Sequence, residues 1–161
     1  MTTPLTRRRF LKTSGMLGAG AALGGRLAAS EETAFKAGAA AVDISPRTLP
    51  VICNGGFLEN QASEIHDPTF ARAVVLDDGK TRLALAVVDV CILETELCSR
   101  VRRAASDKTG IPFEHILLCA THTHSGGSVL AALGSRRDEA YCRQIEPQLV
   151  DVIREAAANV V

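Results

Sequence analysis

Small and apolar residues alternate from Phe35 to Ile44, and Ser45-Pro46 ends the run, which predicts a short strand. Thr48 to Ser63 carries Pro50, Asn54-Gly55-Gly56 and Asn60 and reads as a loop, long enough to suggest more than a connection. Phe70 to Leu76 predicts a strand, Asp77-Asp78-Gly79-Lys80 a hairpin turn, and Arg82 to Val88 the partner strand. The run Leu83-Ala84-Leu85-Ala86-Val87-Val88 is apolar on both faces, so a central strand covered on both sides is expected. Glu94 to Ser106 sets Leu97, Val101, Ala104 and Ala105 at helical spacing and leaves Arg100, Arg102 and Arg103 for solvent. Gly110-Ile111-Pro112 stops that helix. His115 to Ala120 predicts another buried strand, and Ser125-Gly126-Gly127-Ser128 a tight loop directly after it. From Asp138 onward Ile145, Leu149, Val152, Ile153 and Ala156 form one helical stripe. Pro147 conflicts with a single straight helix there, so a start or kink is expected at that residue. The fold class is therefore α/β, a layered sheet with helices. No closing strand follows the last apolar helix, which suggests the N-terminal part of a larger domain.

The first 30 residues stand apart. Thr6-Arg7-Arg8-Arg9-Phe10-Leu11-Lys12 matches the twin-arginine pattern, a charge-free run from Thr13 to Leu23 follows, and Ala28-Ala29-Ser30 offers small residues for cleavage. The order of basic, apolar and small regions favours an export address over a basic amphipathic helix. The uncharged run is also far short of the about 20 apolar residues a membrane span needs. Residues 1–30 are therefore expected to be a twin-arginine signal peptide and 31–161 the folded portion, periplasmic or extracellular, with no transmembrane anchor.

Setting that segment aside changes the charge. The whole chain carries 18 basic and 18 acidic residues. Five of the basic ones lie in the first 30 residues, which hold no acid, so the rest has 13 against 18, a formal charge of −5. A nucleic-acid partner is not expected from such a balance. The five cysteines, Cys53, Cys91, Cys98, Cys119 and Cys142, are odd in number and form no C-x-x-C pair. Cys91, Cys98 and Cys119 sit among apolar residues, where a free thiol behaves as a small hydrophobe. A disulfide framework is not implied, and a single bridge stays open.

Candidate chemistry concentrates in Thr121-His122-Thr123-His124-Ser125-Gly126-Gly127. The segment follows an apolar strand, and ligands of α/β sheets bind beyond the carboxyl ends of strands. On an extended backbone, residues two apart face the same way, so both imidazoles can point into one site. Imidazole suits zinc and first-row metals, and the glycines allow close approach to the backbone. Two hydrogen-bonded histidines at a strand end are the bland alternative, about as good a reading. His66, in Ile65-His66-Asp67-Pro68, is either a third imidazole oriented by Asp67 or part of a turn ahead of Pro68. Asp89 follows the central strand as His122 follows its own; it lies at the same sheet edge or caps a helix.

Together, Val42-Asp43-Ile44-Ser45-Pro46, Gly55-Gly56-Phe57, Ile65-His66-Asp67-Pro68, Ala71-Arg72-Ala73, Asp89, Thr109-Gly110-Ile111-Pro112, His115-Ile116-Leu117-Leu118 and Thr121-His122-Thr123-His124-Ser125-Gly126 resemble the N-terminal region of neutral/alkaline, non-lysosomal ceramidases. The resemblance spans about residues 35–161 and is most specific at Thr-His-Thr-His-Ser-Gly. It implies a zinc-dependent amide hydrolase acting on ceramide or a related N-acyl lipid. It assigns His122 as a ligand of one Zn2+ ion and His124 as a catalytic group lining the substrate site, with Gly55, Gly56 and His66 as substrate contacts. Two departures matter. The family commonly reads Ser-Gly-Pro-Gly-Gly where this chain has Ser125-Gly126-Gly127-Ser128. The family's other zinc ligands (His, Glu and Tyr) and its serine in Asn-x-Gly-Asp-x-Ser-Pro have no counterpart in these 161 residues. A catalytic zinc uses about three protein ligands, so the chain is expected to supply the zinc site incompletely and to be inactive alone. Bare apolar surface and self-association are expected with it.

Two other readings remain. A different His-x-His metallohydrolase is one, although a metallo-β-lactamase-like site wants His-x-His-x-Asp-His and residues 126 and 127 are glycines. A (β/α)8 barrel needs more βα units than fit here. The other is a secreted binding or remnant module without turnover.

Overall fold

A computed structural model describes residues 34–161; the expected signal peptide lies outside the described residues. Strand β1 (Lys36–Asp43) is followed by two short strands, β2 (Val51–Cys53) and β3 (Asn60–Ala62). Strands β4 (Phe70–Asp77) and β5 (Arg82–Val88) come next, then helix α1 (Thr95–Thr109), a 3-10 turn (Phe113–His115), β6 (Ile116–Ala120) and helix α2 (Glu139–Ala158). The main sheet has the order β1-β4-β5-β6. Its first three strands pair antiparallel, and β6 pairs parallel to β5 with Val88 opposite Ala120. The loop expected over 48–63 is in fact the β2–β3 hairpin, with Val51 opposite Ala62. Its Pro, Asn and Gly content hid three-residue strands that the surrounding structure holds in place.

Each element follows from local chemistry. Asp78 closes the β4–β5 turn: its carboxylate accepts from the backbone N–H groups of Lys80 and Thr81. Gly110 ends α1 at a φ of +72°, where its N–H donates to the Ser106 carbonyl. Asp138 starts α2, accepting from the Tyr141 N–H at 3.0 Å. Its second oxygen accepts from the Ile52 N–H at 3.1 Å, so one carboxylate fastens both the helix and the β2 hairpin.

The core lies between one face of the sheet and the two helices. Ala71, Ala73, Val75, Ala84, Ala86 and Val88 turn inward from β4 and β5; alanines at four of these positions let the helices approach closely. Leu97, Val101 and Ala105 of α1 and Ile145, Leu149, Val152, Ile153 and Ala156 of α2 meet them. Each such Leu or Ile contributes roughly 1.5–3 kcal/mol by burial.

Two expectations change. Helix α2 does not start at Pro147 but continues through it, from Glu139 to Ala158. Pro147 and Arg143, whose carbonyl loses its usual partner, are both exposed, so water can satisfy that carbonyl. The strands β5 and β6 are also not covered on both faces. Leu83, Leu85, Val87 and Leu117 are 41%, 38%, 36% and 56% exposed, making the second face of the sheet an apolar surface. Apolar alternation here marks a face without a cover among the described residues, which sequence cannot tell from a buried one.

Asp138→Ala removes the α2 cap and the tie to Ile52 together. We expect a loss of about 1–2 kcal/mol in chemical denaturation, and Asp138→Asn, which keeps one of the two acceptors, should recover only part of it.

Candidate functional site

The sheet edge at which β5 and β6 both end gathers nearly all the residues singled out by sequence. Beyond Val88 the chain continues as Asp89-Val90-Cys91, and beyond Ala120 as Thr121-His122. The two exits stay side by side because the Thr121 N–H donates to the Val88 carbonyl at 3.0 Å. The antiparallel β4 begins at the same edge, so Phe70 and the His66-Asp67-Pro68 turn that precedes it arrive there too.

His122 does not continue the strand. Its φ is +63°, the left-handed region that non-glycine residues avoid, at a cost of about 1–2 kcal/mol. That turn brings ring Nδ1 to 2.8 Å from the Cys91 carbonyl oxygen. A carbonyl only accepts, so Nδ1 carries the proton and Nε2 keeps its lone pair. A metal-ligating histidine is normally oriented by such a bond from its other nitrogen to a carbonyl or carboxylate. The His124 ring stands edge-on to that of His122, with centroids 4.7 Å apart. The two imidazoles are thus together as expected, but through a left-handed kink rather than an extended backbone.

Cys91 completes the cluster. Its Sγ lies 3.6 Å from His122 Nδ1, and one donor atom each from Cys91, His122 and His124 can be chosen within 4.8 Å of one another. Burial pushes the Cys91 thiol up, so it is a neutral thiol without a metal. By sequence Cys91 reads as a small hydrophobe. Its place one strand over from His122, at the same edge, was the available signal. All five cysteines are free thiols.

Two loops fix the segment that follows His124. The β2 hairpin pairs with the segment after His124: Cys53 bridges Gly127, and the Ser128 N–H donates to the Ile52 carbonyl at 2.7 Å. Buried Asn54 extends its amide nitrogen to the Ser128 hydroxyl and to the carbonyls of Leu130 and Ala132, at 3.0–3.1 Å. Gly55, at a φ of +114°, packs against the base of the His124 side chain; a Cβ there would fall 2.6 Å from Cγ and 2.8 Å from Cα. Gly127 rests on Tyr141, where a Cβ would come within 2.4 Å of the phenol ring. The loop therefore has no room for even a methyl group at position 127.

The remaining candidates sort differently. Gly56 is exposed beside Phe57 and Leu58. His66 is 93% exposed and pairs with its neighbour Asp67 at 3.0 Å, so it is a turn residue and not a third imidazole of the cluster. It lines a 570 Å³ cavity with Asp67, Asp89, Thr121, Thr123 and Gly126. His122 and Cys91 line a different cavity, of 440 Å³, with Cys98, Leu118 and Cys119. His115 donates or accepts nowhere near either; its Nδ1 meets the Arg82 carbonyl at 3.1 Å, a structural bond. Asp89 is not a helix cap. Its carboxylate accepts from the Phe70 N–H and from Arg72, both at 2.9 Å.

Residues 4–24 match the family described as TAT (twin-arginine translocation) pathway signal sequence, which indicates export by the twin-arginine route. Among the described residues no helix is long and apolar enough to cross a membrane. The fold is similar to that of neutral ceramidase from Pseudomonas aeruginosa, with a TM-score of 0.69 and 24% identity over 78% of this chain. It is likewise similar to a ceramidase complexed with C2, with a TM-score of 0.67 and 24% identity over 78% of this chain. The chain spans only 22% and 21% of the length of those two proteins. The α/β layered fold is therefore shared with part of each.

Burial raises the Asp89 carboxyl, but the Phe70 N–H, Arg72 and Thr121 together outweigh it and hold its pKa below the ordinary value. A depressed carboxylate contributes stability that is present above its unfolded pKa and lost as pH falls through the folded one. Asp89→Asn should cost about 1–2 kcal/mol at neutral pH. In denaturation curves taken at successive pH values, the gap from wild type should close below about pH 4.

Proposed function

We propose that this chain forms part of an exported, zinc-dependent amide hydrolase of the ceramidase type, acting on ceramide or a related N-acyl lipid. The observation that carries the reading is the His122 ring, its Nδ1 proton committed to the Cys91 carbonyl and its Nε2 free, beside His124 at the ends of two parallel strands. The shared fold with part of the two ceramidases supports it.

The donor chemistry fits zinc: an oriented imidazole with a free Nε2 is a zinc ligand in form. Zinc held by His122 supplies a Lewis acid for the amide carbonyl. His124 holds or moves a proton at a ring nitrogen beside that carbonyl, and Gly55, having no Cβ, lets the β2 hairpin approach its side chain closely. The backbone at Gly56 is open to substrate, and Phe57 and Leu58 beside it are 94% and 82% exposed. Such an apolar lip suits an acyl chain. His66 with Asp67 offers polar contacts in the neighbouring cavity, for the headgroup side of a lipid. The family's serine and its downstream ligands are not matched in this sequence, so the 161-residue chain on its own does not turn over ceramide.

Elemental analysis of the purified, zinc-supplemented chain tests the ligand role. Wild type should retain zinc, His122→Ala should lose it, and His124→Ala should keep most of it. Equal zinc in wild type and His122→Ala overturns the assignment and leaves a binding module as the better account. A fluorescent short-chain ceramide assayed alongside should show no turnover by this chain; robust zinc-dependent turnover lost in His122→Ala would mean that the chain is a complete enzyme.

The bare sheet face formed by Leu83, Leu85, Val87 and Leu117 supports self-association of the isolated chain. Leu85→Glu combined with Leu117→Lys should raise the monomer fraction in sedimentation while far-ultraviolet dichroism stays the same.

A further inference from the structure

We infer that the tip of the β2–β3 hairpin and the neighbouring 132–135 turn form a membrane-docking surface, which inserts Phe57, Leu58 and Leu133 into the apolar interface of a zwitterionic lipid bilayer. The inference deepens the proposed function. It rests on that reading for the lipid nature of the partner, and it states that the substrate is met in a bilayer rather than as a free molecule.

Three observations carry it. Phe57 and Leu58 are 94% and 82% exposed, and Leu133 is 42% exposed. Single apolar residues scattered over a surface are normal, but these three are gathered. A Cβ on Gly134 would fall 2.2 Å from the Phe57 carbonyl oxygen and 3.2 Å from the Leu58 nitrogen, so the two turns touch at their tips. The second observation is the backbone of Leu133, at a φ of +54°. That conformation favours glycine, asparagine or aspartate and strains a leucine. Leu133 is not part of the core, so packing does not account for a large apolar side chain at a strained position. The third observation is the support. Arg136 donates to the Glu59 carboxylate from its backbone N–H at 3.1 Å and from its guanidinium at 2.8 Å, and Asn54 donates to the Ala132 carbonyl at 3.1 Å. The tip is thus held out and does not fold back onto the core.

Size and charge select a bilayer. The three side chains expose roughly 400 Å², half of the about 800 Å² that each partner buries in a standard protein interface. A bilayer demands no complementary shape and takes each side chain by its own burial. The flanking charges are neutralised within the chain: Glu59 pairs with Arg136, and Arg137 with Glu94 and Glu139. Insertion therefore strands no bare charge at the headgroups. With a formal charge of −5 beyond the first 30 residues, the chain gains nothing from anionic lipid, and the surface it suits is zwitterionic. Docking also sets the histidine pair at the lipid surface, because Gly55, two residues before Phe57, packs against the base of the His124 side chain.

The chain has no tryptophan, so Phe57→Trp provides a single fluorescent reporter at the tip. In the exported chain, recovered after removal of its signal peptide, the emission should shift to the blue when phosphatidylcholine vesicles are added. Brominated acyl chains should quench it. Phe57→Ser combined with Leu58→Ser should weaken co-sedimentation with the same vesicles by at least about tenfold. Leu85→Glu with Leu117→Lys, on the open sheet face, should bind as wild type does, and binding should not change between low and high salt. An unshifted emission with vesicles, loss of binding in the sheet-face variant, or binding that requires anionic lipid overturns the inference. So does a blue shift that appears without vesicles and grows with protein concentration, which assigns the tip to a protein contact. None of these readouts needs zinc. His122→Ala should dock as wild type does, so failed docking leaves the zinc assignment standing, and lost zinc leaves docking standing. Because the reporter variant decides by itself, misfolding of the serine variant does not protect the proposal.

Discussion

The parallel pairing of β5 with β6 governs where every candidate group sits. Parallel neighbours need a crossover, and α1 supplies it on the covered face of the sheet. Both strands then run out at one edge, in a register that sets Val88 against Ala120. Cys91 and His122 leave that edge three residues after Val88 and two after Ala120, which is why the carbonyl of one meets the ring of the other. A slip of one residue would turn the inward alanines and valines to solvent, and the core would not form. Packing of the sheet against α1 and α2 therefore fixes the site, although no residue of the site belongs to that core except the buried Cys91.

Around this edge the loops behave as fixtures. Asn54 donates to three acceptors spread over Ser128 to Ala132, and Asp138 ties the β2 hairpin to the start of α2. The ion pair of Arg136 with Glu59, at 2.8 Å, closes the same region from outside. Its exposure limits its worth, so the buried amide and the cap do most of the anchoring. The result places the backbone of His124 against Gly55, while Gly127, three residues on, packs on the Tyr141 ring. The loops thus fix where the exposed His124 side chain is attached and leave its tip open.

Period-two and helical spacing carried most of the architecture: β1, the β4–β5 hairpin, α1, β6 and α2 are legible in the alternation and in Gly110 and Asp138. The β2–β3 hairpin was not, because three-residue strands have too few positions to show a period and owe their form to Asn54 and Asp138. The open face of the sheet was misread for a different reason. Leu83, Leu85 and Val87 are as apolar as buried residues, and composition does not record what covers a surface. In the site, the Thr-His-Thr-His segment pointed to His122 and His124. Its backbone did not, since a left-handed histidine has no sequence mark. Cys91 was invisible as chemistry because its partner lies 31 positions away and meets it only through strand pairing.

The strain at His122 then has a physical account. An extended His122 would point its ring away from β5 and leave the Cys91 carbonyl without this partner at the end of the sheet. The left-handed turn costs about 1–2 kcal/mol, and the bond from Nδ1 to that carbonyl returns about 1 kcal/mol. The near-balance leaves the conformation to be decided by its surroundings, and here the Thr121 rung on one side and the clamped Ser125–Ser128 loop on the other permit little else. Strain held by its neighbours at a strand end, on a ring whose free nitrogen faces outward, is the pattern of a site built for a ligand. A purely structural histidine gives a contrast within the same molecule. His115 makes an equivalent bond to the Arg82 carbonyl in an ordinary 3-10 turn and shows no positive φ. The two rings make the same kind of hydrogen bond, and only the one beside Cys91 and His124 carries backbone strain to do so.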